Sequence, residues 1–385
     1  MSVTLQDWYC LKKGRQNFKP NVRRDRDLIF CHDNEIEELA QLSIERSFAM
    51  GEPVKMMIYG NYGVGKTHAV HHISWWLEQH EEFSAKTVFV ELGDITRRSN
   101  FSALVRPFLD EIGMDEIVRL ISEYTVKTTT HPRDGLRAAG VGKDIVEAYY
   151  KFIMSPPGST PVPLTEQAFE HLKGGVVKDA ASSGLSNKLD QSSEFYDVLV
   201  AIGHLYKAVD DKQLIFIADE ATKLEAVEAD DVTNAHWENT NKLIFDDANT
   251  YFGFIYTYSA SSTGAITRSL SAPQIENRLG SRNLIHLSSL SELELNSFLD
   301  RLVNSFVDKD EVKKLADKGE LGGEYDPETY PFTASAKARF IEYWMRSPEI
   351  SKPRDITDHL NDAAFNALKT NSRLINEDAL EVAGL

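Results

Sequence analysis

Residues 60–67 read GNYGVGKT, the spacing of a phosphate-binding loop: glycine, four residues, glycine, lysine and a hydroxyl. Each residue type has a chemical reason to be there. Gly60, Gly63 and Gly65 permit a tight turn whose N–H groups point at phosphate oxygens, and the helix that follows presents its positive end to the same charge. Asn61, Tyr62, Val64 and His68 complete the stretch expected to line a nucleotide. Lys66 is expected to pair with the β and γ phosphates, and the Thr67 hydroxyl to ligate Mg2+. The second chemical group is LIFIADE, residues 214–220, an apolar run ending in two adjacent carboxylates. Asp219 is the expected second metal ligand, and Glu220 the group that orients or deprotonates an attacking water. One carboxylate would serve binding alone; the pair points to hydrolysis. Acidic pairs also end strands that have no chemical task, and the phosphate loop about 150 residues upstream separates this one from those. A guanine-reading Asn-Lys-x-Asp is missing, since Asn241–Lys242 continues into Leu243 and Ile244.

These groups need elements to hold them. VKMMIYG (54–60) is an apolar run between Pro53 and Gly60, which predicts a buried strand entering the loop. His71, Ile73, Trp76 and Leu77 predict a helix leaving it. TVFVELGD (87–94), LIFIADE and YFGFIYTYSAS (251–261) predict further strands, so the expectation is a parallel α/β sheet covered on both faces. Upstream, Asn34 and Glu37 have capping-box spacing before a helix that ends near Gly51. The stretch of about 97–211 is too long for one crossover and reads as a helical insertion, with Leu104, Phe108, Ile112 and later Phe195, Val198, Leu199 and Ile202 at helix spacing. SPPGSTPVP (155–163) punctuates it as a loop. From Ser291, whose capping box with Glu294 opens a helix, the pattern is helical, interrupted by a polar connection at 308–331. The expected organisation is a basic arm (1–26), a core (27–290) and a helical domain (291–385).

Composition sets outer limits. With 385 residues, 42% of them hydrophobic, and only 22 glycines and 13 prolines, the chain is neither disordered nor collagen-like. No run approaches eighteen apolar residues and the N-terminus lacks a secretory core, so no membrane partner and a cytoplasmic location are expected. Cys10 and Cys31 read as structural thiols. A net charge of −17 argues against a protein that coats nucleic acid. The exception is residues 1–26, where seven basic residues face only Asp7 and Asp25, a local +5 that leaves −22 for the rest. Lys12, Lys13, Arg23 and Arg24 are therefore candidate contacts to DNA phosphates or an acidic partner; a solvated surface, or docking on the chain's own acidic body, is the plainer reading. His68 and His72 have the spacing of a metal pair beside His71, but no third ligand is evident and packing is the plainer role.

The order of these features resembles an AAA+ ATPase over about residues 28–370: phosphate loop, apolar strand ending in Asp-Glu, later strand with polar residues at its end, arginine-bearing stretch, helical C-terminal domain. IENRLGSRNLIHLSSLSELELNSFLDRL is similar to the corresponding stretch of origin-recognition and Cdc6-type initiators. The resemblance implies a P-loop NTPase fold, a three-layer αβα sandwich with a parallel sheet followed by an all-α lid. It implies ATP and Mg2+, and a homo-oligomer, ring or filament, whose sites are shared between subunits. Arg278 would be the arginine finger reaching a neighbour's γ-phosphate, with Arg282 and Arg268 as substitutes. Arg354, in KPRDITDHL, would contact the nucleotide from the lid, and Ser259 or Thr257 would stand at the sensor position where the superfamily more often has Asn. DLIFCHDNEIEEL resembles the initiators' N-terminal box, with His32 where they carry Arg, and sets Ile29 and Phe30 near adenine. The roughly 30 residues after Arg354 are expected to hold no winged helix, and the insertion is longer than the initiators'. Short forms of this kind resemble transposon target-selection ATPases or the ATPase components of anti-phage systems. The implied function is an ATP-hydrolysing switch or assembly factor that acts on DNA or a DNA-processing complex. The rival is a STAND-type signalling ATPase that acts on protein partners.

Overall fold

The computed structural model describes residues 4–27, 34–93, 102–154, 163–177, 185–189, 191–224, 238–239, 241–246, 250–259, 277–346 and 351–385. Among these, α1 (Leu5–Trp8), α2 (Asn34–Met50) and β1 (Lys55–Gly60) precede the phosphate loop, and α3 (Lys66–Gln79) leaves it. β2 (Ala85–Glu91) is followed by α4 (Ser102–Ile112), α5 (Met114–Thr128), α6 (Pro132–Ala138), α7 (Lys143–Met154), α8 (Pro163–Leu172) and α9 (Ser192–Asp210). Then come β3 (Gln213–Asp219), β4 (Phe252–Ser259) and β5 (Leu284–Leu287). The remaining helices are α10 (Glu292–Phe306), α11 (Lys309–Asp317), α12 (Ala334–Met345), α13 (Pro353–Lys369) and α14 (Glu377–Val382). The chain adopts the expected α/β P-loop fold with a helical part.

The five strands are ordered β2-β3-β4-β1-β5, so β4 separates β1 from β3. β2 pairs with β3, and β3 with β4, in parallel; Glu91 stands opposite Asp219 and Ala218 opposite Tyr256. Six of the seven residues of β3 and seven of the eight of β4 are buried, which is why both read as unbroken apolar runs rather than alternating ones.

Two compact units divide the chain: residues 1–38, 60–72 and 287–385 form one, and residues 39–59 and 73–286 the other. The second unit's core joins the sheet to the inserted helices. Phe108 of α4 lies edge-on to Phe216 of β3, ring centroids 4.7 Å apart, and α9 buries ten residues from Phe195 to Val209 against the same core. The insertion helices are thus part of the sheet's own hydrophobic core. Residues 155–162 of the expected loop lie outside the described residues.

In the first unit, Leu295, Phe298, Leu299 and Phe306 of α10 share a core with Phe340 and Trp344 of α12, Leu360 of α13, and Tyr9, Leu11 and Phe18. Residues 4–27 are therefore packed, not dangling. Lys12 donates its backbone N–H to Phe306 at 2.7 Å, the Tyr9 hydroxyl donates to the Ala364 carbonyl at 3.1 Å, and the Phe18 N–H donates to Asn361 Oδ1 at 2.8 Å. Burial pushes the Tyr9 pKa well up, against a smaller lowering by Arg373, so the phenol stays a donor. The Ser291–Glu294 capping box opens α10 as the sequence predicts. The polar connection at 308–331 differs from expectation, because it contains α11, capped by Asp308 accepting from the Asp310 and Glu311 N–H groups. Its apolar stripe is short, Val312 buried with Leu315 and Ala316 partly buried beside it, and the other six residues of the helix are charged, which makes the stretch read as a polar connection.

Candidate functional site

β1 ends at Gly60, where a Cβ would collide with the Leu287 carbonyl oxygen, so only glycine allows that backbone approach. Gly63 and Gly65 follow at φ +86° and +102°, and α3 starts on the loop itself, with the Ala69 N–H bonded to Gly65 O at 2.9 Å. Val64 is fully buried and anchors the turn from inside. The Lys66 ammonium, 7% exposed, donates to Gly60 O at 3.1 Å and Asn61 O at 2.9 Å, which fixes a buried positive charge against the loop. Tyr62 points the other way, 62% exposed, and its ring carries the Arg354 guanidinium at 4.3 Å from the centroid. Arg354 sits in the first turn of α13 behind Pro353, and its Cβ and the Lys352 side chain flank Gly63. Within the first unit, then, two cations widely separated in sequence meet at one glycine loop. This set of N–H groups, helix N-terminus and cations fits a polyphosphate.

The acid pair belongs to the second unit. Asp219 is 2% exposed, and its Oδ1 accepts a short hydrogen bond from Thr257 Oγ1 at the end of β4. Thr257, fully buried, also accepts the Glu220 N–H at 3.0 Å. Glu220, the residue after β3, adopts φ +61°, a left-handed conformation uncommon outside glycine. There it is partly exposed, 3.9 Å from Lys223 Nζ. Of the two sensor candidates, Thr257 bonds Asp219 directly, whereas Ser259 offers its backbone N–H to Thr222 Oγ1 at 2.8 Å. The side chain of a threonine here does what an asparagine could do, linking two strand ends.

Arg278 and Arg282 line a pocket of about 390 Å³ with Arg46, Lys55 and Gly280. Arg278 pairs with Asp246 at 3.3 Å, while Arg282 is exposed. On the N-terminal segment, Lys12 Nζ donates to Asn304 O and Arg24 to Gly14 O, and Lys13 and Arg23 are exposed. Ile29, Phe30, His32 and Arg268 lie outside the described residues. Among the described residues no group of three or more His, Cys, Asp or Glu side chains is arranged to hold a metal ion.

Sequence reasoning missed the partners rather than the motif residues. The Tyr62–Arg354 stack, the Thr257 bridge and the Asp246 counter-ion depend on contacts between distant segments, and no spacing rule reports those. His72 is a further case: 4% exposed, it is held by the Arg26 carbonyl and Glu37, the residue expected to close a capping box on α2.

No family model matches the sequence, and no curated protein matches it. Solved structures do. The ORC2 protein of Aeropyrum pernix, solved as ADPNP-ADP complexes, is similar over 97% of this chain and 72% of its own, with 17% identity and a TM-score of 0.51. Cdc6p of Pyrobaculum aerophilum matches over 93% of this chain and 67% of its own, with 13% identity and a TM-score of 0.45. The RuvB Holliday junction branch migration motor of Thermotoga maritima matches over 92% and 69%, with 10% identity and a TM-score of 0.40. The chain thus shares the fold of the A. pernix ORC2 protein.

Proposed function

We propose that the protein binds and hydrolyses ATP with Mg2+, assembles with copies of itself, and serves as a switch or assembly factor on DNA or a DNA-processing complex. The observation that carries this reading is the glycine loop at the head of α3, with the buried Lys66 ammonium behind it and Arg354 stacked on its Tyr62. The A. pernix ORC2 protein, whose fold this chain shares, was solved with ADPNP and ADP. Lys66 and the loop N–H groups would hold the phosphates, Thr67 and Asp219 would ligate the metal, and Arg354 would meet the γ-phosphate from the lid helix α13. Bound Mg2+ supplies charge neutralisation on the transferring phosphoryl group. Glu220, just past the end of β3 and partly exposed, would accept the proton of an attacking water. Arg278 or Arg282 would complete a neighbouring subunit's site, and the exposed Lys13 and Arg23 would make sequence-tolerant phosphate contacts with DNA. No helix among the described residues is long and apolar enough to cross a membrane.

The reading is tested by kinetics across protein concentration. Hydrolysis per subunit is expected to rise with concentration, and Glu220→Gln to lower it about 10²–10⁴-fold while ATP stays bound. Mixing Glu220→Gln with Arg278→Ala or Arg282→Ala should recover activity, because one mixed interface pairs an intact base with an intact arginine. Wild-type turnover by Glu220→Gln would remove the assigned base; an unrecovered mixture would remove the shared site.

A further inference from the structure

His72 lies six residues beyond Lys66 on α3, about 9 Å along the helix axis at 1.5 Å per residue. Its ring is buried, and both nitrogens are engaged: Nδ1 with the Arg26 carbonyl oxygen at 3.0 Å and Nε2 with Glu37 Oε1 at 3.0 Å. One ring thus faces a backbone carbonyl on one side and a carboxyl group on the other. One imidazole ring therefore joins two separate pieces of chain, the end of the N-terminal segment and the first turn of α2, to the helix that begins at the phosphate loop.

The N-terminal segment is fixed at its other end to the helical part of the same unit. Trp8 Nε1 donates to Ser372 O at 2.7 Å, and Arg373 both donates to Trp8 O at 2.9 Å and lies over the Trp8 ring at 4.1 Å. Leu11 bridges Val307, Phe18 is fully buried, and Lys19 pairs with Asp358 of α13 at 2.9 Å. Asp25, 1% exposed, is paired with Arg15 and accepts the Asn21 N–H at 2.7 Å, which closes the last turn before Arg26. The segment is thus a strap: Trp8 to Lys19 on α10, α13 and the residues after α13, Arg26 on α3.

We propose that His72 is a positioning residue that couples occupancy of the phosphate loop to docking of this strap. The inference rests on the nucleotide-binding reading above. A phosphate held by the loop fixes the first turn of α3, and His72 transmits that order to Arg26 and Glu37. Coupling of two binding events is reciprocal, so whatever factor ATP adds to strap docking, the strap adds to ATP affinity.

Limited trypsin digestion reads the strap directly, because Lys13, Arg23 and Arg24 are exposed cleavage sites on it. In the full chain, saturating ATP is expected to slow cleavage at these sites by about tenfold. In His72→Ala that protection should vanish, and ATP affinity measured on the same samples should fall by the same factor. Glu37→Gln keeps most of the protection, since an amide can meet either form of the ring, while Glu37→Ala loses it. Thermal denaturation of each variant shows whether it is folded. Protection undiminished in folded His72→Ala overturns the role of His72, as does an affinity loss without loss of protection. Absence of ATP binding to the wild type overturns the nucleotide reading instead, and ATP binding to the wild type without protection overturns the coupling itself.

Discussion

The chain leaves β1 and β3 by two different devices, and the contrast explains what can be read from the sequence. After β1, backbone conformation decides the residues: a close approach to Leu287 O and two positive φ angles leave glycine as the fitting choice, so the turn is spelled out as a motif. After β3, the chain also turns through a positive φ, yet the residue is Glu220. There a side chain from another strand takes over, because Thr257 accepts the Glu220 N–H and donates to Asp219. A turn held by glycines is written locally; a turn held by a hydrogen bond between strands is written in two places about 40 residues apart.

The largest expected effect tests the loop end of this comparison. Lys66 makes charge-assisted hydrogen bonds from a buried position, and each such bond to an anion is worth about 1.5–3 kcal/mol. Lys66→Ala is therefore expected to lower ATP affinity by about 10²-fold or more, with the fold retained, in equilibrium titration with a fluorescent analogue. Wild-type affinity in the folded variant would show that the glycine loop binds without its lysine.

The strand end should respond in stability as well as in turnover. Thr257→Val keeps the shape but leaves the Asp219 carboxylate and the Glu220 N–H short of a partner, at a cost of about 1–3 kcal/mol in urea denaturation. Thr257→Ser preserves the hydroxyl and should stay within about 1 kcal/mol of wild type. If valine were as stable and as active as threonine, the bridge would have no part in holding Glu220 in its left-handed conformation.

The same logic sorts the rest of the molecule. The strands β1, β3 and β4 and the Ser291 cap were legible because burial on two faces and a local cap leave marks within a few residues, and β2, at the sheet edge, because Val88 and Val90 alternate with exposed or half-buried positions. The charge count of residues 1–26 drew the eye to their lysines and arginines, whereas Trp8, Tyr9, Leu11 and Phe18, spaced irregularly between those charges, fasten the segment down. Irregular spacing follows from an extended strap that touches several helices in turn, and it yields no period to detect. α11 was hidden for a different reason: its apolar face is only Val312, Leu315 and Ala316, set in a nine-residue helix that is otherwise charged. In the candidate site, Gly60, Gly63, Gly65, Lys66 and the Asp219–Glu220 pair could be named from motif alone. Thr257 emerged as one of two sensor candidates, and Tyr62 could be placed in the loop but not given its partner.

That partner supplies the smallest effect and the finest test of the loop. The Arg354 guanidinium stacks on Tyr62 at 4.3 Å with both side chains largely exposed, and a cation–π contact in such a setting is worth about 0.5–1 kcal/mol. If the ring holds Arg354 ready at the loop, Tyr62→Leu should weaken ATP binding about two- to fivefold and ADP binding less, because the arginine is assigned to the γ-phosphate. Tyr62→Phe keeps the π face and should behave as wild type. Arg354→Ala should lower ATP affinity further and, combined with Tyr62→Leu, should show no additional loss, since the ring then has nothing to hold. Additive losses in the double variant would mean that Tyr62 acts on the nucleotide or the loop backbone directly, and the two cations at the glycine loop would have to be positioned by separate means.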